Sequence, residues 1–305
     1  MSTMNNKLPD PDDLKKQIML TSGLVWHNNI DEPNINNWLS NFTGEVFNKK
    51  LEQHLALFLL ANFVYYNEDE VRHLCRTLFQ DFLHHTIAKN CDSNDKIEDE
   101  IQNVMSSSIF YNLGRPGESG AFVLYYFRQE NNLPNDYFIF HPTEISKHIE
   151  TVIFVDDVTL SSGPRGQALN YIKSTMSKYF KDKKSTLLTF IATEKRELNK
   201  AGVEVHACIY LNDQNKCFSA NSNIFRSYPQ YLSKARSVAM HYGRRLNPRG
   251  PLGWNNSQRL FGFYYNTPDN TLPIFWSKSN DWKPILKRYD KNYEKTLADR
   301  LETFI

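Results

Sequence analysis

Two adjacent aspartates, Asp156 and Asp157, are the side chains of this sequence best placed to do chemistry. They follow four apolar, β-forming residues at positions 152–155, so we expect them where a buried strand emerges from a core. Carboxylate oxygens at such a position can accept hydrogen bonds from ribose hydroxyls or hold a metal ion. The alternative is an ordinary buried strand that ends in an aspartate-rich turn.

A hydroxyl-rich turn follows the two aspartates and ends at a glycine. Beyond it, apolar residues recur at helical spacing from Leu169 to Phe180, which predicts a helix. The first N–H groups of a helix lack partners within it and its dipole favours an anion, so this junction is suited to a phosphate. The candidate phosphate-binding residues are Thr159, Ser161, Ser162, Gly163 and Arg165.

A second glycine-rich loop, residues 114–120, follows a predicted strand further upstream. Its glycines expose backbone N–H groups, and with Arg115 these can hold two phosphates. The alternative is a tight turn, which glycine and proline form without any ligand. The candidate residues of this loop are Gly114, Arg115, Gly117, Ser119 and Gly120.

Strand-like and helix-like stretches alternate through the middle of the chain. The predicted strands are residues 107–113, 136–142, 151–156, 187–193 and 203–211. This alternation predicts an α/β fold with a mostly parallel, doubly wound sheet. Ligands of such sheets bind at the carboxyl ends of the strands, so we expect both loops to line one crevice.

The segment at residues 152–163, VIFVDDVTLSSG, resembles the loop of type I phosphoribosyltransferases that binds phosphoribosyl pyrophosphate (PRPP). Residues 114–120 occupy, in chain order, the place of that family's pyrophosphate loop. The resemblance implies that Asp156 and Asp157 are catalytic residues that contact the ribose and hold Mg²⁺ indirectly. The distance from the acidic pair to Gly163 is one residue longer than the family's usual spacing, and Pro164 and Arg165 follow where a small residue and threonine are common.

A closer resemblance extends over nearly the whole chain, through GRPGESGAFVLYYFR, VIFVDDVTLSSG, ACIYLNDQNKCFS and NTPDNTLPIFW. The chain is similar to phosphoribosyltransferase-like proteins of bacterial conflict systems, including retron-associated effectors. This implies an effector that acts on PRPP or a nucleotide in anti-phage defence, with a reverse transcriptase and its RNA–DNA product as possible partners. Two alternatives remain: an inactive module that senses PRPP or a nucleotide, which the longer turn favours, and a scaffold that docks a reverse transcriptase–nucleic-acid complex.

The pattern predicts four regions along the chain. Residues 1–13 are expected to be a tail, and residues 14–95 a helical N-terminal region that includes an apolar helix over residues 51–66. Residues 100–218 are the predicted phosphoribosyltransferase-like core. Residues 219–305 are expected to be an irregular extension or cap packed on that core.

Charge is unevenly distributed along the 305 residues. Residues 226–305 hold 14 lysines and arginines against 6 acidic residues, whereas residues 1–225 hold 22 against 28. Such a basic region indicates a phosphate, a nucleic acid or an acidic partner, or simply a solvated face. Arg244, Arg245 and Arg249 are the candidate anion contacts. Because Gly243, Gly250 and Gly253 indicate a turn-rich segment that can approach a ligand closely, we expect these arginines to face the ribose-phosphate crevice. On the scaffold hypothesis they would bind nucleic acid instead.

The compartment and metal content can also be predicted from composition. No apolar run approaches the roughly 20 residues needed to span a bilayer, and the N-terminus lacks a signal-peptide pattern, so we expect a cytoplasmic protein with no membrane partner. The four cysteines are scattered, and His84 and His85 are adjacent helical residues that point apart. The sequence therefore predicts no zinc site.

Overall fold

The chain folds into two compact units, residues 67–223 and residues 1–66 together with 224–305. The computed structural model describes residues 6–90, 96–114, 118–139, 145–160, 167–193, 202–278 and 281–289. In chain order the elements are α1 (Pro11–Leu24), α2 (Glu32–Leu39), α3 (Lys49–Ala61), β1 (Val64–Tyr66), α4 (Glu68–Asn90), α5 (Ile97–Ser106), β2 (Ser108–Asn112), α6 (Ser119–Glu130), β3 (Phe138–Ile139), β4 (Thr151–Thr159), α7 (Gln167–Tyr179), β5 (Lys184–Thr193), β6 (Glu204–Leu211), α8 (Pro229–Leu246), β7 (Phe261–Phe263) and α9 (Pro273–Trp276). No helix among these combines the length and apolar character needed to cross a bilayer.

Residues 67–223 are built around a parallel sheet in the order β3-β2-β4-β5-β6. Side chains alternate between the two faces of a strand, and β2 shows which helices cover each face. Ile109 and Tyr111 lie in the core cluster that includes Leu169 of α7, whereas Phe110 packs against Phe79 of α4 and Phe127 of α6. The sheet therefore has helices on both faces, and the predicted α/β fold class is confirmed.

Strand β4 is the middle strand of the sheet, and it is apolar on both faces. Residues 152–155 are completely buried, as expected of a strand covered by helices on both sides. Its register joins Asn112 of β2 to Val155, and Thr159 to Ala192 of β5. Because the pairing with β2 ends first, the last residues of β4 extend beyond the carboxyl end of β2.

The predicted domain boundaries stay a prediction. Several helices and strands, however, differ from those expected when these boundaries were predicted. The expected helix over residues 51–66 ends at Ala61, and β1 instead pairs in parallel with the distant β7. Helix α4 belongs to the same unit as the sheet. The supposed tail ends early, since α1 begins at Pro11 behind an Asp10 side chain that accepts from the Asp12 N–H. Strand β3 covers two residues of the strand expected at residues 136–142. Residues 140–144 lie outside the part of the chain that the structure describes.

The C-terminal region, expected to be irregular, contains the 18-residue helix α8. Its apolar side chains Ala235, Val238 and Tyr242 recur at helical spacing and are buried. Gly243 lies within this helix rather than in a turn. A Cβ atom there would stand 2.1 Å from the Pro251 carbonyl oxygen, so glycine permits a close approach of two backbone segments.

In the unit formed by both ends of the chain, the fully buried carboxylate of Glu52 organises a loop. It accepts hydrogen bonds from the backbone N–H groups of Gly44 (2.8 Å), Val46 (2.6 Å) and Phe47 (2.9 Å). The Tyr242 hydroxyl donates a fourth, at 2.7 Å. These donors compensate for the cost of burying the charge and connect α3, the loop before it and α8.

Candidate active site

Asp156 and Asp157 lie near the carboxyl end of β4, where the polar loops of the sheet begin. Both are 8% exposed. They follow Val155, the last residue of β4 that pairs with β2, while β5 continues alongside them. Polar groups that emerge beside a shorter neighbouring strand can reach a ligand in the crevice at the carboxyl ends of a parallel sheet.

A hydrogen bond joins the end of the upstream glycine-rich loop to the acidic pair of β4. Ser119, the first residue of α6, donates from its hydroxyl to Oδ1 of Asp157 at 3.3 Å. The upstream glycine-rich loop and the acidic pair of β4 therefore lie next to each other, although 38 positions separate these two residues in the chain. This places the start of α6, which favours anions through its dipole and its first N–H groups, beside the carboxylate of Asp157.

The backbone of the upstream loop is held by contacts that the sequence did not reveal. Asn112 donates from Nδ2 to the Gly114 carbonyl at 3.0 Å, and the Tyr171 hydroxyl of α7 approaches the same oxygen at 3.5 Å. Tyr171 also neighbours Tyr111. Burial raises the pKa of Tyr111, and the nearby Tyr171 raises it further. Tyr171 was not singled out as a site residue, because a lone tyrosine on an amphipathic helix gives no such signal.

Gly120 is needed for the close approach of α6 to the end of β2. A Cβ atom at this position would lie 2.2 Å from the Leu113 carbonyl oxygen, well inside van der Waals contact. We expect Gly120→Ala to displace the start of α6 and to weaken PRPP or nucleotide binding by at least tenfold, measured by calorimetry. Ala121→Gly, one position further into the same helix, is the control for altered helix propensity. An exchange between alanine and glycine within a helix changes its stability by about 1 kcal/mol, and this variant does so without adding a Cβ atom at position 120. Equal affinity in Gly120→Ala and the wild type would contradict the role given to this loop.

Thr159 ends β4 immediately before the predicted phosphate turn. Its side chain is 2% exposed, and its hydroxyl has no hydrogen-bond partner among the described residues. A buried hydroxyl left without a partner costs free energy, which a ligand oxygen at this position would recover. The other predicted residues of the two loops, Arg115, Gly117, Ser161, Ser162, Gly163 and Arg165, lie outside the described part of the chain.

The residues at the end of β4 fit a Mg²⁺ ion by the chemistry of their donors. Asp156 and Asp157 offer carboxylate oxygens, the ligand type that Mg²⁺ prefers, and Asp157 lies beside the hydroxyl of Ser119. Mg²⁺ retains several water molecules in most protein sites, which agrees with an indirect role for the two carboxylates.

The three candidate arginines lie in the other unit and differ from one another. Arg245, in the last turn of α8, places Nη1 at 2.7 and 2.8 Å from the two carboxylate oxygens of Glu45. His241 contacts the same carboxylate at 3.0 Å. Arg245 therefore already has an anionic partner within the protein, whereas Arg244 and Arg249 have exposed side chains. Their role as anion contacts stays a prediction.

The central strand of this parallel sheet carries two aspartates near its carboxyl end, beside a glycine-rich loop, which is the arrangement expected of a phosphoribosyltransferase-like protein. The chain belongs to the PRTase-CE family, which it matches over residues 35–288. Solved structures similar to it include the Helicobacter pylori xanthine-guanine-hypoxanthine phosphoribosyltransferase, at 13% identity and a TM-score of 0.29, with 48% of this chain and 83% of that chain covered. Another is the orotate phosphoribosyltransferase from Aeropyrum pernix, at 12% identity and a TM-score of 0.22, with 37% and 72% covered. No curated protein matched the chain.

Proposed function

We propose that the protein binds PRPP or a nucleotide at the carboxyl end of β4 and transfers or cleaves a group at the ribose anomeric carbon. The observation that carries this proposal is the hydrogen bond from Ser119 to Asp157, because it brings the start of α6, at the end of the upstream loop, against a carboxylate of β4. Family membership supports a phosphoribosyltransferase-like activity in general terms. The identity of the base or nucleotide is left to experiment.

Each part of the site has a separate task in this proposal. The carboxylates of Asp156 and Asp157 accept hydrogen bonds from the ribose hydroxyls, and the Thr159 hydroxyl with the following turn holds the 5-phosphate. Arg115 and the loop before α6 bind the pyrophosphate as its bond to the anomeric carbon breaks and positive charge develops on the ribose. A base, for transfer, or a water molecule, for cleavage, forms the new bond to that carbon. Asp156 and Asp157 would hold Mg²⁺ indirectly, and the chemistry that the ion would supply is positive charge that stabilises the departing pyrophosphate.

Incubating the purified protein with PRPP and with a panel of nucleotides and bases tests this activity. Mass spectrometry is expected to detect loss of one of these compounds and appearance of pyrophosphate or a free base. The activity is expected to disappear in Asp157→Asn, whereas Asp136→Asn, a change at an exposed position outside the predicted loops, should keep it. If no compound is consumed at any Mg²⁺ concentration, the enzyme proposal fails.

A sensor without turnover is the second candidate function. The additional residue between the acidic pair and Gly163 favours it, because a reshaped turn can bind a phosphate without aligning the anomeric carbon for reaction. Calorimetry distinguishes the two functions: a sensor binds PRPP or one nucleotide with defined stoichiometry while mass spectrometry finds the compound unchanged.

We also propose that this activity serves anti-phage defence, together with a reverse transcriptase and its RNA–DNA product. The support for this setting is the sequence resemblance to effectors of bacterial conflict systems. Phage plating on cells that carry the complete genomic locus tests it. Protection that is lost with Asp157→Asn and kept with Asp136→Asn would support the proposal, whereas protection by neither the wild type nor the variant would reject it.

The scaffold alternative makes its own prediction about the basic region. If Arg244, Arg245 and Arg249 bind RNA or DNA, replacing all three with glutamine should weaken binding and flatten its salt dependence, because each neutralised phosphate releases counterions. Since Arg245 already contacts Glu45, we expect most of the effect from the exposed Arg244 and Arg249. Fluorescence anisotropy at several salt concentrations measures the slope. An Arg244→Gln and Arg249→Gln double variant that binds like the wild type would remove the main support for a scaffold.

A further inference from the structure

Three side chains of the sheet unit bring metal-ligating atoms together at a place separate from Asp156 and Asp157. His85 lies towards the end of α4, whereas Glu204 and His206 lie on the edge strand β6. One ligand atom from each residue can be chosen so that all three lie within 4.8 Å of one another. Strand β5 separates β6 from β4, so this cluster is distinct from the candidate PRPP site.

The packing of α4 on β6 creates this cluster. Residues two positions apart in a strand share a face, so Glu204 and His206 both face α4. The Phe82 ring of α4 packs edge-on against the His206 ring with centroids 5.6 Å apart. One helical turn later, the His85 ring lies 4.8 Å from the same imidazole. The two histidines are therefore held together by an apolar contact between a helix and a strand.

The distances within the cluster suit a tetrahedral metal ion. His85 Nε2 lies 3.7 Å from Glu204 Oε1, and His206 Nε2 lies 3.6 Å from the same oxygen. Metal–ligand bonds of about 2.0–2.2 Å in a tetrahedral Zn²⁺ site separate neighbouring ligand atoms by about 3.4 Å. Side-chain movements of a few tenths of an ångström bring both pairs to that spacing. The two imidazole nitrogens lie within 4.8 Å of each other, so they must approach by at most about 1.4 Å.

We propose that His85, Glu204 and His206 bind a divalent transition-metal ion, Zn²⁺ being the ion that fits them best. Imidazole nitrogen favours Zn²⁺ over Mg²⁺ and Ca²⁺, which prefer oxygen, so this site differs in chemistry from the end of β4. Three protein ligands leave the fourth position of a tetrahedral ion to water. The bound ion connects α4 to the edge of the sheet and stabilises this unit, because it binds the folded chain.

Lys89 is the competitor for this site. It lies four residues after His85, on the same face of α4, and its ammonium group donates a hydrogen bond to Glu204 Oε1. The ammonium and the metal ion need the same carboxylate oxygen, so one must leave when the other binds. The Lys89 side chain is 53% exposed, so it can move into solvent without loss of packing. Lys89 therefore lowers the affinity for metal, and its removal should raise it.

Titration calorimetry of the full-length protein with ZnCl₂ tests the site, with Co²⁺ absorption as a report of tetrahedral coordination. We expect one ion per chain and a loss of affinity of at least tenfold in both His85→Gln and Glu204→Gln. Lys89→Ala should bind severalfold more tightly. His84→Gln, which changes the exposed neighbouring histidine of the same helix, is the matched control and should bind like the wild type.

Melting temperature gives an independent result, because a ligand that binds the folded state raises it. Zn²⁺ should raise the melting temperature of the wild type and of His84→Gln by several degrees, and should leave His85→Gln unchanged. The proposal is overturned if the wild type binds no Zn²⁺. It is equally overturned if His85→Gln and Glu204→Gln bind it as strongly as the wild type, since the ion would then be held by other residues.

Discussion

Replacing Glu52 with glutamine is expected to lower the free energy of unfolding by about 3–5 kcal/mol, the range for breaking a buried charge network. In the wild type, backbone N–H groups donate to both carboxylate oxygens, Oε1 and Oε2. In the variant an amide nitrogen replaces one of these oxygens, and because it cannot accept a hydrogen bond, the N–H groups that face it lose their acceptor. The change also weakens the bond with the Tyr242 hydroxyl. Chemical denaturation followed by circular dichroism measures the loss.

Glu45→Gln is the matched control, because Glu45 is a glutamate of the same loop with a different environment. Hydrogen bonds from His241 and Arg245 lower the pKa of Glu45 to about 2, but its side chain is 41% exposed and solvent screens these interactions. We expect a loss below about 1 kcal/mol, as for surface ion pairs. Equal losses in the two variants would show that the backbone hydrogen bonds of Glu52 are not the source of its contribution.

The contribution of Glu52 should also depend on pH in a defined direction. Burial alone raises the pKa of Glu52, but the hydrogen bonds from Phe47, Tyr242, Val46 and Gly44 outweigh it, so the pKa lies below its usual value. A carboxyl group whose pKa is lowered by folding stabilises the folded protein at any pH above its pKa in the unfolded chain, which is about 4.3. This stabilisation is lost as the pH falls from that value through the lower pKa of the folded state. The difference between the wild type and Glu52→Gln should therefore shrink below about pH 4.

Asp157→Asn is expected to weaken PRPP or nucleotide binding by roughly tenfold to a hundredfold. This is the change in affinity that corresponds to about 1.5–3 kcal/mol, the contribution typical of a hydrogen bond to a charged group. The asparagine side chain has the same shape and keeps an oxygen that can accept from Ser119 Oγ. It loses the negative charge that favours ribose hydroxyls and Mg²⁺. Calorimetry with PRPP and Mg²⁺ measures the change in affinity.

Melting temperature distinguishes a binding role of Asp157 from a structural one. A binding role predicts weakened affinity with a melting temperature within a few degrees of the wild type, and Asp136→Asn should change neither quantity. Asp157 is buried, so a structural role is a real alternative: it predicts a large fall in melting temperature. Unchanged affinity for every compound tested would reject the ribose contact.

The sheet and the end of β4 could be predicted from sequence because their signals are local. Residues 152–155 are apolar without interruption, as in a strand covered on both faces, and Asp156 follows them directly. Helix α8 also had a local signal, the spacing of Ala235, Val238 and Tyr242, but Gly243 looked like a turn residue. Its true role, a close approach to Pro251, depends on contacts that form only when the chain folds.

The features that the sequence could not predict all depend on residues far apart in the chain. Strand β1 was read as the end of a helix because its pairing partner, β7, lies near the other end of the chain. The hydrogen bond from Ser119 to Asp157 joins the start of α6 to β4, and the 38 positions between the two residues give no pattern in the sequence. The cluster of His85 with Glu204 and His206 was missed for the same reason, since metal-ligand spacing is recognisable only when the ligands are close in sequence.

One of the two units is built from both ends of the chain, and this affects the order in which the protein can fold during its synthesis. Residues 1–66 leave the ribosome before residues 67–305, yet β1 pairs with β7 and the Trp38 indole donates to the Ile274 carbonyl at 2.7 Å. The N-terminal helices must therefore wait, with apolar surface uncovered, until residues 224–305 have been translated. The sheet unit, residues 67–223, can fold in the meantime as a continuous segment. Nascent chains stalled before residue 224 should accordingly depend on chaperones through their N-terminal residues.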